Sequence, residues 1–179
     1  RGLGLMERGR SFMKKWSKVK KMLEDDCLCE TLKGRVKFFN TRYRSAHDRA
    51  GRICILVDKK EILNMPSLKE YELYDLAHEL SSSDQSLKEA YENADEIVCS
   101  KGICAPWNFE EAFEIYQNQK VGDSIRSDNL LVKLLAILDR RVGKRSLESF
   151  EGELAELPKW LQYFYQLRLE SCKMPQRGA

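Results

Sequence analysis

The β-forming residues of this chain are confined to one short region, and this constrains the fold more than any other feature. Aromatic and β-branched side chains are concentrated in "RVKFFNTRYR" (35–44), "RICILVD" (52–58) and "EILNM" (61–65). A polar loop closed by Gly51 separates the first two runs, and a tight turn at 58–60 separates the last two. Connections this short join antiparallel neighbours, so the region predicts a three-stranded antiparallel β-meander.

Helical patterns lie on both sides of this region. Apolar residues at three- and four-residue spacing over 13–26 predict a first helix with a basic outer face. From Pro66 onward about five to six helices are expected, because apolar stripes follow capping motifs. These motifs are Ser67-x-x-Glu70, Ser86-x-x-Glu89 and Asn108-x-x-Glu111, and Ser127 or Asp128 precedes a very apolar helix expected to be central. The sequence thus predicts an α+β fold: an N-terminal helix, a three-stranded antiparallel β-meander, then a C-terminal helical bundle.

The length of 179 residues is that of one domain. Residues 1–12 show no periodicity, and we expect a vector-derived or disordered leader there. A single domain is predicted over 13–172, with the helix and meander in 13–65 and the helical part in 66–172, followed by a tail at 173–179. No apolar run approaches the ~18 residues of a membrane span and no secretory signal is visible, which predicts a cytoplasmic protein without membrane contact.

Charge is unevenly distributed along the chain, although the net charge is only +3. Residues 1–60 hold 17 Lys and Arg against 7 Asp and Glu, whereas residues 61–132 hold 5 against 15. This layout is typical of a basic face that meets an anionic partner. It also fits a fold in which the basic part packs beside the acidic part and the two neutralise each other.

Motifs for cofactor or metal chemistry are not found. The sequence has no Gly-rich phosphate loop, dinucleotide fingerprint, His-Glu-x-x-His or Gly-x-Ser-x-Gly motif, so no cofactor and no catalytic residue are predicted. The six cysteines lack the spacing of a zinc site, and no metal ligand is assigned. We expect reduced, mostly buried thiols at positions 27, 29, 54, 99, 104 and 172.

The stretch "LAILDRRVGKRS" (135–146) is the first candidate binding site. Gly143 is predicted as the left-handed residue that ends the helix from 129, with basic residues favourable at its negative end. That role does not require four cations. Their excess suggests a site for phosphate or an acidic partner, formed by Arg140, Arg141, Lys144 and Arg145.

Two further stretches are candidates. "HDRAGR" places His47, Asp48, Arg49 and Arg52 in or beside the loop between the first two strands. They form either a binding loop or the centre of an unfamiliar hydrolase, and the simplest alternative is a loop held by Asp48. In "RVKFFNTRYR", alternation puts Phe39, Thr41 and Tyr43 on one face with Arg35 and Lys37. Aromatic and basic residues interleaved on a sheet are typical of single-stranded nucleic-acid binders.

Several of these segments resemble one protein family. They are "WSKVKKMLEDDCLCETLKGRVKF", "HDRAGRICILVDKKEI", "SDNLLVKLLAILDRRVGKRSL" and "FYQLRLES", in this order over nearly all of 13–172. The chain is similar to a family of small conserved hypothetical bacterial proteins of unknown function. One departure is a lysine, Lys59 or Lys60, where the family pattern has glycine in the turn. The resemblance implies a cytoplasmic single-domain bacterial protein and transfers no activity.

The sequence therefore favours a non-catalytic protein-interaction or regulatory module with a basic surface and an acidic protein partner. The first alternative is a nucleic-acid-binding protein that uses the basic first helix and strand. The second is a hydrolase centred on His47 and Asp48.

Overall fold

The structure is a computed structural model and describes residues 15–43, 51–80 and 86–173. Helix α1 (Trp16–Lys21) continues into a π-helical turn (Met22–Cys27). Strands β1 (Val36–Arg42), β2 (Gly51–Val57) and β3 (Lys60–Pro66) follow. The remainder is helical: α2 (Lys69–Leu80), α3 (Leu87–Ser100), α4 (Pro106–Asn118), α5 (Val121–Ser124), α6 (Leu130–Leu138), α7 (Lys144–Glu148), a 3₁₀ turn (Leu154–Glu156) and α8 (Lys159–Lys173). The predicted α+β fold is confirmed.

The three strands form one antiparallel sheet in the order β1-β2-β3. Phe38 faces Ile55 across β1 and β2, and Ile53 faces Met65 across β2 and β3. All four side chains are buried, because this face of the sheet packs on the helices. The alternation in the sequence separated the two faces, and the structure decided that the face of Val36 and Phe38 is the inner one.

The turn between β2 and β3 contains two residues with positive φ, Asp58 (48°) and Lys59 (69°). This is the arrangement of a two-residue type I′ hairpin, which favours glycine at its second position. Lys59 occupies this second position at a conformational cost, because its φ is left-handed. Arg35 stabilises the turn with two hydrogen bonds to the Asp58 carboxylate, at 3.0 and 2.8 Å.

Helix α6 is the centre of the main core, as its sequence predicts. Every residue from Leu131 to Leu138 is buried. Even Lys133 is only 7% exposed, with its ammonium group 5.2 Å from the centre of the Phe150 ring. Helices α2 and α3 form a second, smaller core with each other: Leu73, Ala77, Ala90, Ala94 and Val98.

Helix ends test the predicted caps. The Ser86–Glu89 capping box of α3 is confirmed. Asn108, however, does not begin α4, since Pro106 is the first helical residue and the Asn108 side chain accepts from the N–H of Ala105 at 2.8 Å. Likewise Asn129, rather than Ser127 or Asp128, caps α6. None of the helices in the described ranges is both long and apolar enough to cross a bilayer.

Candidate functional site

The outer face of the sheet carries the predicted aromatic and basic residues. Lys37, Phe39 and Thr41 point away from the core, because their neighbours Val36 and Phe38 are buried on the inner face. Phe39 is 42% exposed, and Tyr43, two positions beyond Thr41, is 39% exposed. Two exposed rings this close along the chain make this side of the sheet a candidate binding surface.

Strand β2 adds Arg52 to this face, directly across from Thr41. Arg52 is half-buried and donates to Glu61 of β3 at 2.8 Å, which holds its guanidinium over the sheet. Cys54 lies opposite Phe39 and is almost fully covered, and this burial raises the pKa of its thiol. We call Lys37, Phe39, Thr41 and Arg52, together with the exposed Tyr43 just beyond the end of β1, the open face.

A buried carboxylate attaches α1 and its π-helical turn to the outer edge of β1. Glu24 is 6% exposed and accepts from the backbone N–H of Phe38 at 2.7 Å. Lys20 donates both to Glu24 and to the backbone oxygen of Phe38, the latter at 2.7 Å. The two side chains thus satisfy the free backbone groups of an edge strand, which otherwise offers a template for pairing with another chain.

Glu24 and Lys20 together also place positive charge beside Phe39. Burial by itself raises the pKa of Glu24, but hydrogen bonds from Lys20, Phe38 and Lys37 outweigh it and hold the pKa below its ordinary value. The carboxylate is therefore ionised at neutral pH and retains both lysines. The ammonium group of Lys20 lies 4.5 Å from the centre of the Phe39 ring, a cation–π contact at the border of the open face.

Among the described residues, most ion pairs of the basic segment stay within it, and Arg52–Glu61 is the exception that reaches the acidic middle. Lys20 and Lys37 pair with Glu24, Lys33 with Glu30, and Arg35 with Asp58, all within residues 15–60. Lys15, Lys18 and Lys21 of the α1 segment are exposed and form no ion pair within 4.0 Å in the part of the chain that the structure describes.

Asp139, at the beginning of "DRRVGKR", belongs to a buried polar network. Its carboxylate is fully buried and accepts from the hydroxyl of Tyr116. It also accepts from the backbone N–H of Arg141 at 2.7 Å and from the Arg141 guanidinium at 2.6 Å. Burial raises the pKa of Asp139, but the hydrogen bonds from Arg141 and Tyr116 more than compensate and lower it. Burial also raises the pKa of Cys27, whose sulfur accepts from the Tyr116 hydroxyl at 3.5 Å.

The predicted role of Gly143 is wrong. Helix α6 ends at Leu138, and Gly143 is extended (φ −80°, ψ 165°) as the residue before α7. The main chain leaves the helix early because Asp139 pairs with Leu28 in a short β-bridge and Arg140 donates its N–H to the oxygen of Cys27 at 2.7 Å. This contact joins the backbone of "DRRVGKR" to the segment that follows α1.

The four basic residues of that stretch are therefore not equivalent. Arg141 is committed to Asp139, and Lys144 lies 3.5 Å from Glu148 in an exposed pair. Arg140 and Arg145 are exposed and have no ion pair within 4.0 Å among the described residues. His47, Asp48 and Arg49 lie outside the described residues, so of the "HDRAGR" candidates only Arg52 is placed, on the open face.

An acidic cavity of about 660 Å³ lies between α3, α4 and the start of α6, and sequence reasoning missed it. Its floor includes Asp95, which accepts from the ammonium group of Lys69 at 3.2 Å and from the Asn108 amide at 2.8 Å. The remaining lining residues include Glu92, Glu96, Cys99, Glu111 and Asp128. Lys69 is itself buried, and it joins α2 to α3 and α4 through Asp95 and Asn108. Within the described ranges no cluster of His, Cys, Asp and Glu suits a metal ion.

Comparison with known proteins gives one result. No curated protein matches the chain, and no solved structure does. A family profile, that of the SF0329 protein family, matches residues 15–169, from the start of α1 to within α8. This range contains the open face, the Asp139 network and the acidic cavity. The chain therefore belongs to the SF0329 protein family.

Proposed function

We propose that the protein binds single-stranded nucleic acid on the open face of its sheet. The observation that carries the proposal is the pair of exposed rings, Phe39 on β1 and Tyr43 one residue beyond its end, beside Lys37 of β1 and Arg52 of β2. Exposed aromatics stack bases, and basic side chains beside them neutralise phosphates, a combination that binds single strands with little sequence preference.

The spacing of the two rings suits this ligand. Phe39 and Tyr43 are four residues apart on a chain that is a strand as far as Arg42, so their Cα atoms are separated by at most about 13 Å at 3.3 Å per residue. This is enough for each ring to stack a base of its own, with the smaller Thr41 between them. The exposed lysines of the α1 segment lie beyond the Lys20–Phe39 contact, where the phosphates of a strand crossing β1 would pass. Arg52 is placed to contact the strand from β2.

The test is fluorescence anisotropy with labelled single-stranded RNA and DNA of about ten nucleotides, over a series of salt concentrations. About three phosphate contacts predict a slope of log K against log salt of about −2. We expect Phe39→Ala combined with Tyr43→Ala to weaken binding by about 10- to 100-fold, since each stacked ring contributes about 1 kcal/mol or more.

Tyr163 supplies the matched control, because it is 42% exposed but lies on α8. Tyr163→Ala is expected to leave the affinity unchanged. The proposal is wrong if neither oligonucleotide binds at low salt, or if the Tyr163 and the Phe39/Tyr43 variants bind equally well.

The second candidate is an acidic protein partner at Arg140 and Arg145. The observation that favours it is that these two guanidinium groups are exposed and unpaired in the described part of the chain. Arg140→Ala combined with Arg145→Ala tests it without disturbing Asp139. If this variant loses oligonucleotide binding and the Phe39/Tyr43 variant retains it, the anion site is at the basic stretch and the open face is not the interface.

A further inference from the structure

The end of α3 forms a tight turn that brings two cysteines together. Gly102 has φ +86°, its N–H donates to the oxygen of Cys99 at 2.8 Å, and the N–H of Ile103 donates to Val98 at 3.2 Å. This is the Schellman arrangement, in which a left-handed residue reverses the chain after a helix. The chain thereby returns toward the last turn of α3, and the sulfur of Cys104 lies 3.3 Å from that of Cys99.

Contacts with the start of α8 hold the turn in place. The indole N–H of Trp160 donates to the oxygen of Gly102 at 2.9 Å. A Cβ atom at Gly102 would lie 2.7 Å from the ring of Pro158, closer than real Cβ contacts. The turn is therefore docked tightly on α8, and the juxtaposition of the two sulfurs is built into the fold.

The two sulfurs differ in access. Cys104 is 1% exposed, whereas Cys99 is partly exposed and lines the acidic cavity of about 660 Å³. A small polar oxidant entering the cavity reaches Cys99 first. Among the six cysteines, all of them in the described ranges, no other pair of thiols forms a hydrogen bond.

The pKa shifts of the two thiols also indicate that Cys99 reacts before Cys104. The hydrogen bond from the Cys104 thiol lowers the pKa of Cys99, against the effect of burial, and the charge of Lys69 lowers it further. The same hydrogen bond, together with burial, raises the pKa of Cys104 far above its ordinary value. Since the thiolate is the nucleophile, Cys99 is the sulfur prepared to react.

We propose that Cys99 and Cys104 form a reversible intramolecular disulfide when the protein meets hydrogen peroxide, with Cys99 as the attacking sulfur and Cys104 as the resolving sulfur. This modification site is independent of nucleic-acid binding, because neither cysteine belongs to the open face.

The reaction balances with peroxide as the only oxidant. The Cys99 thiolate attacks one peroxide oxygen, the O–O bond breaks, and hydroxide leaves as a Cys99 sulfenic acid forms. The Cys104 sulfur then attacks the Cys99 sulfur, the S–O bond breaks, and the departing hydroxide takes the Cys104 proton as water. Two thiols lose two electrons, and one hydrogen peroxide becomes two water molecules.

Peptide mapping of the whole chain tests the proposal directly. Trypsin cleaves after Lys88, Lys101 and Lys120, so Cys99 and Cys104 fall on separate peptides with one cysteine each. After peroxide, alkylation of free thiols and digestion, we expect these two peptides linked and lighter by two hydrogen atoms. Dithiothreitol should restore two separately alkylated peptides. Two separate peptides after peroxide, or either cysteine linked elsewhere, would overturn the proposal.

Three variants assign the roles of the two sulfurs. Cys104→Ser should trap the Cys99 sulfenic acid, detected by its dimedone adduct, without any disulfide. Cys99→Ser should leave Cys104 unoxidised, because Cys104 is buried. The matched control combines Cys29→Ser with Cys172→Ser, which removes two other partly exposed thiols and should leave the disulfide unchanged. A dimedone adduct on Cys104 in the Cys99→Ser protein would contradict the assigned order.

Discussion

Removal of the Asp139 carboxylate is the perturbation whose energetic consequence the structure defines best. Asp139 is fully buried and accepts hydrogen bonds from the Tyr116 hydroxyl, the Arg141 backbone N–H and the Arg141 guanidinium. Asp139→Ala deletes every one of these acceptors at once. Tyr116 is left with only the weak sulfur acceptor of Cys27 at 3.5 Å.

The magnitude follows from the burial of each donor. Hydrogen bonds to a charged acceptor contribute about 1.5–3 kcal/mol each; the one from Tyr116 is buried and the one from the Arg141 N–H is partly buried. The Arg141 side chain is 58% exposed, so its ion pair adds only about 0–1 kcal/mol. We therefore expect Asp139→Ala to lower the free energy of unfolding by about 3–5 kcal/mol, as for other broken buried pairs.

The assay is urea unfolding followed by circular dichroism at pH 7 and pH 3. The pKa of Asp139 is lowered in the folded state, so its contribution is complete above the unfolded value of 3.8 and is lost as pH falls through the lower folded value. The difference between wild type and variant should therefore shrink at pH 3. Asp123→Ala is the control, because that exposed carboxylate lies 3.6 Å from an exposed Arg126, and we expect a loss of about 0.5 kcal/mol or less.

Two results would refute this reasoning. A loss below about 1 kcal/mol at pH 7 would mean that the network does not stabilise the fold. A large loss that is the same at both pH values would mean that the packing of Asp139, rather than its charge, is what matters. An unchanged m-value is required in either case, because only then does the midpoint report stability.

Three further substitutions test other parts of the structure by the same unfolding assay. Glu24→Gln should lower the free energy of unfolding by about 1–2 kcal/mol at pH 7 and by less at pH 3. The reason is that the pKa of Glu24 is lowered in the folded state, so its stabilisation of the β1 edge is lost as pH falls below the usual glutamate range. An equal loss at both pH values would contradict this prediction. Gly102→Ala should lower the free energy of unfolding by about 2 kcal/mol or more, because residue 102 has a positive φ and a Cβ there would clash with Pro158. An unchanged stability would show that the turn can shift to accommodate the Cβ atom. Lys59→Gly should raise stability by about 0.5–1 kcal/mol by relieving the left-handed lysine, and a loss would show that the lysine side chain contributes more than the strain costs.

The fold class was predictable because its signals are local. Strand alternation from Val36 onward and the Ser86 capping box depend only on neighbours within a few positions. The almost uninterrupted apolar run of α6 likewise predicts burial on all sides, whatever the surrounding elements are. The same alternation placed Phe39, Thr41 and Tyr43 together on one face, so the main part of the proposed interface was visible in the sequence.

The end of α6 shows where local signals were insufficient. The sequence around Gly143 is typical of a glycine that ends a helix, yet the chain leaves the helix at Asp139. The cause is the pairing of Asp139 and Arg140 with Leu28 and Cys27, more than 100 positions earlier. The hydrogen bonds to the buried Asp139 carboxylate stabilise the fold by more free energy than a glycine cap does. The distant contact therefore decides where the helix ends, and the glycine nearby does not.

The sequence by itself thus determined the main helical and strand segments, which residues of β1 share a face, and that the first 60 residues are basic. Only the tertiary structure decided which charged side chains pair with other groups of the same protein. Arg141 stabilises Asp139, Glu24 holds Lys20 and Lys37 at the edge of β1, and Lys69 is buried between helices. The physical reason is range: periodicity and capping act between neighbours in the chain, whereas the partner of a buried charge is set by how distant elements pack.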